Sequence, residues 1–173
     1  IDTTTFNPEA QKALHWTKSV LEADKKEFLR KNLNRTEAQG VTLAHGSPRQ
    51  PVWEYILDEY TASVNFDYFE TDYCFVGHTH LPVIFVMREG KYYARVESTP
   101  EGQELSLPKR SIVNPGSVGQ PRDEDPRASY AMYDSEQNLW VNYRVSYDIK
   151  GVQERMKKAG LPGIHIQRLE MGW

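Results

Sequence analysis

Cysteine is almost absent from this 173-residue chain: Cys74 is the only one, so no disulfide can form within the chain. A single cysteine fits a reducing compartment, and we expect a cytoplasmic protein. Positive charge is not in excess either, because 21 Lys and Arg stand against 24 Asp and Glu, a net charge of −3. Charge therefore makes nucleic acid an unlikely partner. No apolar run approaches the roughly 20 residues of a transmembrane helix, so we expect no membrane span.

The pattern of apolar residues and of helix and strand breakers predicts a single mixed α/β domain over residues 1–173. Asn7, Pro8 and Glu9 predict the start of a first helix, because these residue types favour a helix N-terminus. The apolar run Val83–Met87 predicts a central strand that is buried on both faces. Leu139–Tyr147 has apolar residues at every odd position, which predicts a strand with one wet face.

Other elements follow from the same signals. The further predicted helices are 24–33, Pro51–Leu57, Thr61–Phe69 and a last helix capped by Asp148 that runs through Lys158. The further predicted strands are Val41–Ala44, Asp72–Val76, Lys91–Val96, Ser111–Asn114 and Ala128–Asp134.

Three of the five histidines stand at the predicted end of a strand, in turns that contain a glycine. His45 follows Val41–Ala44, while His78 and His80 follow the strand that ends at Val76. Residues two apart project to the same side of an extended chain, so His78 and His80 are expected to act together. Neutral imidazole is a common ligand of zinc, manganese and iron ions. The pattern therefore predicts a metal site at these strand ends.

Three loops carry a resemblance to a known family. GHTH at Gly77–His80, HGSP at His45–Pro48 and NPGSVGQPR at Asn114–Arg122 resemble the C-terminal motifs of the calcineurin-like metallophosphoesterases. Within that family the bacterial predicted-phosphodiesterase group is the most similar. The resemblance covers essentially the whole chain, and it implies part of a four-layer αββα sandwich with mixed sheets flanked by helices.

The resemblance also implies a function. The family hydrolyses phosphomonoesters or phosphodiesters with two divalent ions, for which Mn, Fe, Zn and Ni are the candidates here. By resemblance, His45 and His78 would bind one ion and His80 the other. Two ions about 3.5–4 Å apart can clamp a phosphoryl group and lower the pKa of a bridging water. The substrate would be a small phosphoester or a phosphoprotein.

The chain departs from the family in one respect. The family's other ligands, and the histidine that protonates the leaving group, come from upstream D-x-H, GD-x-x-D and GNH-[DE] motifs. None of the 11 glycines here is followed by Asp or Asn, and no Asp precedes a His by two places. Since the chain also opens at Ile1, we expect an N-terminal portion of the domain to be missing. Three histidines without carboxylates could not hold two dications close together, so we expect this chain alone to be inactive.

Three polar residues in the loops are candidate substrate contacts. Ser47 and Arg49 follow His45 closely, and Arg122 ends the third loop. A guanidinium group suits a phosphate. Asn114 is expected to shape its turn together with Gly116.

Two other functions remain open from the sequence. The chain could be a non-catalytic binding or regulatory relative that retains the histidine loops as structure. It could also be a hydrolase with a single zinc ion held by His45, His78 and His80, with an open fourth position.

Overall fold

A computed structural model of the chain describes Thr3 and residues 6–173. Its helices are α1 (Pro8–Val20), α2 (Ala23–Lys31), α3 (Glu59–Asn65), α4 (Ile149–Lys158) and α5 (Gly163–Met171). Its strands are β1 (Arg35–Ala38), β2 (Val41–Ala44), β3 (Tyr73–Phe75), β4 (Pro82–Val86), β5 (Arg95–Glu97), β6 (Leu105–Ser106), β7 (Ser111–Pro115), β8 (Ala128–Asp134) and β9 (Leu139–Val145). The predicted mixed α/β class is confirmed. In the part of the chain that is described, no helix is long and apolar enough to cross a membrane.

The strands form two sheets. The larger sheet has the order β1-β2-β3-β7-β4-β5, and the smaller has the order β6-β9-β8. β2, β3 and β7 run parallel to one another, whereas β4 is antiparallel to both β7 and β5. The carboxyl ends of β2, β3 and β7 therefore lie at one edge of the larger sheet.

The core has one layer on each face of the larger sheet. Ile84 and Val113 face the smaller sheet and pack with Trp140 of β9. Phe85 and Cys74 face the other way and pack with Phe66, next to α3. Adjacent residues of β4 are thus buried on opposite faces, which confirms the prediction of a central strand.

Side-chain caps explain where two helices begin. The Asn7 carboxamide oxygen accepts a hydrogen bond from Ala10 N at 2.8 Å, and Asp148 accepts one from Gly151 N at 2.9 Å. Each satisfies a backbone N–H that has no partner inside its helix. Both predicted helix starts are confirmed.

The predicted helix at Pro51–Leu57 is wrong. Residues 51–53 form a turn, and residues 54–57 belong to neither a helix nor a strand. Exposure alternates along this stretch, because Trp53, Tyr55 and Leu57 are exposed whereas Ile56 is buried. This two-residue period belongs to an extended chain, which the predicted helix would not produce.

Two strand predictions need correction. The strand predicted over Lys91–Val96 is shorter and shifted, because only Arg95–Glu97 pairs with β4. Just before this strand, Ala94 N donates to the Ser63 hydroxyl at 2.7 Å instead of to a neighbouring strand. In β9 the fully buried residues are the even ones, Trp140 and Asn142, rather than the odd ones. Trp140 packs between the sheets, and Asn142 Nδ2 donates to Ser129 Oγ at 3.1 Å.

Three elements were missed: β1, the short strand β6 and α5. β1 pairs with β2 through a turn at Gln39 and Gly40, both with positive φ, of 51° and 75°. Its polar sequence lacks the alternation that marks a strand. α5 follows Pro162, where the sequence predicted only the end of α4; Ile166 and Leu169 are its buried residues.

Candidate metal centre

The three predicted loops meet at one edge of the larger sheet. His45 follows β2, the GHTH turn follows β3, and the Gly/Pro-rich loop follows β7. Gly77 N donates to the His45 carbonyl at 2.9 Å, which joins the first two loops directly. The convergence arises because parallel neighbouring strands end on the same side of a sheet.

The GHTH turn has an unusual backbone. His78 and His80 have φ values of 62° and 64°, in the left-handed region that non-glycine residues rarely adopt. The extended geometry expected for His78 and His80 is therefore wrong. Thr79, between them, is buried. A conformation of this kind persists only where surrounding contacts enforce it.

Asn114, at the end of β7, supplies those contacts. Its side-chain Nδ2 donates to the Gly77 carbonyl at 2.7 Å and to Thr79 Oγ1 at 2.8 Å. Its Oδ1 accepts from Gly116 N at 2.9 Å. Gly116 has φ 87°, and a Cβ there would lie 2.6 Å from Ser129 Oγ. Asn114 thus shapes its turn with Gly116, as predicted, and holds the neighbouring histidine turn as well.

His45 and His78 are in direct contact. His45 Nε2 lies 2.9 Å from His78 Nδ1, and the ring centroids are 4.6 Å apart. The Tyr55 ring stacks on His78, with centroids 3.9 Å apart and planes inclined by 24°. His78 Nε2 is buried and has no hydrogen-bond partner among the described residues. A buried ring nitrogen left unpaired is a position that a metal ion would satisfy.

His80 points to a different partner. Its Nδ1 lies 2.7 Å from the carbonyl oxygen of Gln120, in the third loop. A carbonyl only accepts, so Nδ1 carries the proton and Nε2 keeps its lone pair. An imidazole oriented through one nitrogen in this way is a typical metal ligand through the other.

The electrostatic environment favours neutral imidazole. Burial lowers the pKa of His78, and the nearby charges of His45, His80 and Arg122 lower it further. The smallest effect, a polar contact with the Trp53 backbone, raises the pKa, although the geometry of this contact falls short of a hydrogen bond to Nε2. Burial also lowers the pKa of His80 and outweighs the opposing hydrogen bond to Gln120. Neutral imidazole is the form that binds metal.

Among the described residues, the histidines of this edge do not form a complete metal-binding group. Across Thr3 and residues 6–173, no three His, Cys, Asp or Glu side chains come together as a group that could hold a metal ion. The available donors are neutral nitrogens, which suit an ion such as zinc but do not offset the repulsion between two dications.

The other predicted site residues lie in different settings. Ser47 is fully buried and donates to Glu54 Oε2 at 2.6 Å; Arg49 forms an ion pair with the same carboxylate. Arg122 Nη2 donates to Gln120 Oε1 at 3.2 Å, and its charge lowers the pKa of both His78 and His80. Of the three, Arg122 is the one whose charge acts on both histidines of the turn.

Sequence reasoning missed Glu54, Tyr55 and Gln120 as residues of this edge. The helix predicted over Pro51–Leu57 concealed the first two, because it gave no reason for Glu54 to point inward and Tyr55 outward. Gln120 acts through its backbone carbonyl, which no side-chain pattern reveals.

A family model and a solved structure place the chain in one family. The calcineurin-like phosphoesterase superfamily domain model matches residues 9–138. An uncharacterized protein of Methanocaldococcus jannaschii is 34% identical over 181 residues, which cover 96% of this chain and 68% of the relative. A metallophosphoesterase crystal structure from Sphaerobacter thermophilus superposes with a TM-score of 0.86 at 40% identity, covering 100% of this chain and 71% of that one. A hypothetical protein of Pyrococcus horikoshii OT3 shares the fold, with a TM-score of 0.76 at 22% identity over 99% of this chain and 64% of that one.

Proposed function

Because the chain belongs to the calcineurin-like phosphoesterase superfamily, we propose that it is part of a hydrolase that cleaves phosphomonoesters or phosphodiesters with divalent metal ions. The observation that carries the proposal is the unpaired, buried Nε2 of His78, beside His45 and at the same edge as His80. A binding-only relative has no evident need for an unsatisfied ring nitrogen at this position.

Each residue of the edge has a role in this proposal. His45, His78 and His80 provide neutral nitrogen ligands for manganese, iron, zinc or nickel. The Gln120 carbonyl fixes the tautomer of His80, and Arg122 binds a phosphate oxygen of a small phosphoester or phosphoprotein substrate. Bound divalent ions supply an activated water and neutralise phosphoryl charge. Ser47 and Arg49 stay predicted substrate contacts, although both side chains already bind Glu54.

We further propose that the centre holds two ions and that its acidic ligands come from a segment upstream of Ile1. Support comes from the described histidines, which do not form a complete metal-binding group and carry no negative charge, whereas two adjacent dications need negative ligands. On this proposal residues 1–173 are one part of the domain, and the isolated chain has little or no activity.

Hydrolysis of a chromogenic aryl phosphodiester tests the proposal. The protein that includes its upstream sequence should hydrolyse it with Mn²⁺, Ni²⁺, Zn²⁺ or Fe²⁺ and lose activity in EDTA. His80→Ala should lower kcat/KM by on the order of a hundredfold, since loss of an outer partner alone costs 10–100-fold. His15→Ala, on the exposed side of α1, is the matched control and should have no effect.

Absence of hydrolysis with all four metals would refute the enzymatic function. Unchanged metal content and unchanged function in His80→Ala would favour the binding or regulatory relative. One tightly bound zinc in the protein that includes its upstream sequence, lost on substitution of any of the three histidines, would select the mononuclear hydrolase.

A further inference from the structure

The extended segment from Trp53 to Leu57 has two different faces. Trp53, Tyr55 and Leu57 are 51%, 44% and 59% exposed, and the Tyr55 ring rests on His78. Ile56, on the opposite face, is 2% exposed, and only 12% of the Glu54 side chain is accessible. The segment thus places a carboxylate inside the protein directly next to the tyrosine that contacts a predicted metal ligand.

The Glu54 carboxylate binds three side chains. Oε2 accepts from Ser47 Oγ at 2.6 Å, from Asn65 Nδ2 at 2.8 Å and from Arg49 Nε at 3.3 Å, while Oε1 accepts from Arg49 Nη2. Burial opposes ionisation, but the hydrogen bonds from Arg49, Ser47 and Asn65 outweigh it and hold the pKa of Glu54 below its ordinary value. The carboxylate is therefore charged and fully engaged at neutral pH.

The partners of Glu54 are themselves fixed. Asn65 is completely buried in α3, where its Nδ2 also donates to the Thr61 carbonyl at 3.0 Å. Asn65 Oδ1 accepts from Arg49 N at 3.1 Å, and Ser47 Oγ accepts from Gln50 N at 2.9 Å. The network consequently ties the loop after His45 to a rigid helix.

The same loop packs closely on the backbone of the segment. Gly46 N donates to the Pro51 carbonyl at 2.7 Å. A Cβ at Gly46 would lie 2.8 Å from the carbonyl oxygen of Glu54, a distance that real Cβ atoms do not reach. His45 immediately precedes this contact and Tyr55 immediately follows Glu54. The positions of both His45 and the ring that covers His78 thus depend on Glu54.

We propose that Glu54 is a positioning residue for the metal-binding edge, holding the His45 loop from one side and the Tyr55 ring over His78 from the other. Ser47 and Arg49 hold the Glu54 carboxylate in place on this proposal. The expected effect on metal binding rests on the proposed function. The arrangement of the Tyr55 and His78 rings does not, because it can be measured without metal.

Glu54→Gln tests the proposal in the full 173-residue chain. The glutamine amide has the same shape as the carboxylate but no charge, and its NH₂ group cannot accept hydrogen bonds from Ser47, Asn65 or Arg49. The hydrogen bonds that hold the loop should therefore break. Two readouts are used: the nuclear Overhauser effect between the Tyr55 and His78 ring protons, and the Zn²⁺ dissociation constant from calorimetry. We expect the ring contact to disappear and Zn²⁺ to bind at least about tenfold more weakly, which corresponds to about 1.4 kcal/mol.

Glu101→Gln is the matched control. Glu101 also receives two hydrogen bonds from an arginine, Arg127 Nη1 and Nη2 at 3.0 and 2.9 Å, but takes no part in the Glu54 network. This variant should keep both the ring contact and the Zn²⁺ affinity. An equal loss in Glu101→Gln would show a general stability effect and overturn the proposal, as would wild-type behaviour of Glu54→Gln in both readouts.

Ser47→Ala provides a second variant in case Glu54→Gln does not fold. It removes one donor to Glu54 and should weaken the ring contact and Zn²⁺ binding in the same direction, less strongly. A raised KM of Ser47→Ala in the protein that includes its upstream sequence, with both readouts unchanged, would assign Ser47 to substrate and overturn the proposal. If the wild-type chain binds no Zn²⁺, metal binding by this chain fails, and the ring contact alone decides: its loss in Glu54→Gln supports positioning, and its retention refutes it.

Discussion

At the scale of single residues, His78 and His80 each carry two energetic costs: a strained backbone and a penalty on the charged form of the ring. Left-handed φ values at non-glycine residues cost on the order of 1–3 kcal/mol each, and both His78 and His80 adopt them. Burial in addition penalises the charged form of each ring. Strain combined with a lost charge in this way is found preferentially at functional positions.

The pH dependence of stability follows from these histidines. Burial lowers the pKa of His78, His80 and His165, so protons bind to the unfolded chain before they bind to the folded one. Stability then falls wherever the unfolded state carries more protons, that is, as pH drops below about 6.5, the ordinary pKa of histidine. We expect the free energy of unfolding in urea with EDTA to decrease from pH 7.5 to pH 5.5.

Replacing His78 by alanine should make this pH dependence shallower, because one of the three titrating groups is removed. Glu9 is a nearby charge that acts in the opposite direction on His165, and Arg168 and Arg122 reinforce the effect of burial there. A free energy of unfolding that stays constant or increases toward pH 5.5 would contradict the assigned pKa directions.

At the scale of elements, the histidine turn depends on a neighbouring strand. Asn114 lies in β7, and its carboxamide bonds to Gly77 and Thr79 after β3 and to Gly116 in its own loop. One buried side chain therefore sets the shape of two of the three loops. The parallel pairing of β3 and β7 makes this contact possible, because it brings their carboxyl ends side by side.

Asn114→Ala should destabilise the protein by about 2–4 kcal/mol, since it leaves several buried polar groups without partners. The His78 and His80 resonances should shift at the same time, because the turn loses its support. Asn138→Ala is the comparison: this asparagine also shapes a turn, with φ 54° and Nδ2 donating to the Leu107 carbonyl at 2.9 Å. It should lower stability without moving the histidine resonances. Unchanged histidine resonances in Asn114→Ala would refute the role of Asn114.

The elements also show what sequence could predict. The strands that lead into the histidine loops were predicted because β-branched and aromatic runs end at glycine and proline, which is local information. Pro51–Leu57 was misassigned because its extended form is fixed by Glu54 reaching Ser47 and Asn65, contacts that no local pattern encodes. The left-handed turn was not foreseen for the same reason, since Asn114 lies 35 residues from Thr79.

At the scale of the whole molecule, a cavity of about 570 Å³ opens between the two sheets. Its walls include Phe75 of β3, Tyr133 of β8 and Trp140 of β9, and it reaches His45. The walls are mostly apolar, so filling the cavity would bury further hydrophobic surface. We propose that the upstream segment, the source of the acidic ligands, fills this cavity. From there it would reach the edge of the sheet that carries the histidines.

The metal content of the isolated chain tests the central claim most directly. Dialysed against Zn²⁺ or Mn²⁺, residues 1–173 should retain at most one ion per chain, and His45→Ala or His78→Ala should remove it while His15→Ala does not. This result follows if the neutral histidines form one wall of a centre whose acidic ligands lie elsewhere. Two ions per isolated chain, or one ion retained after either substitution, would contradict the account.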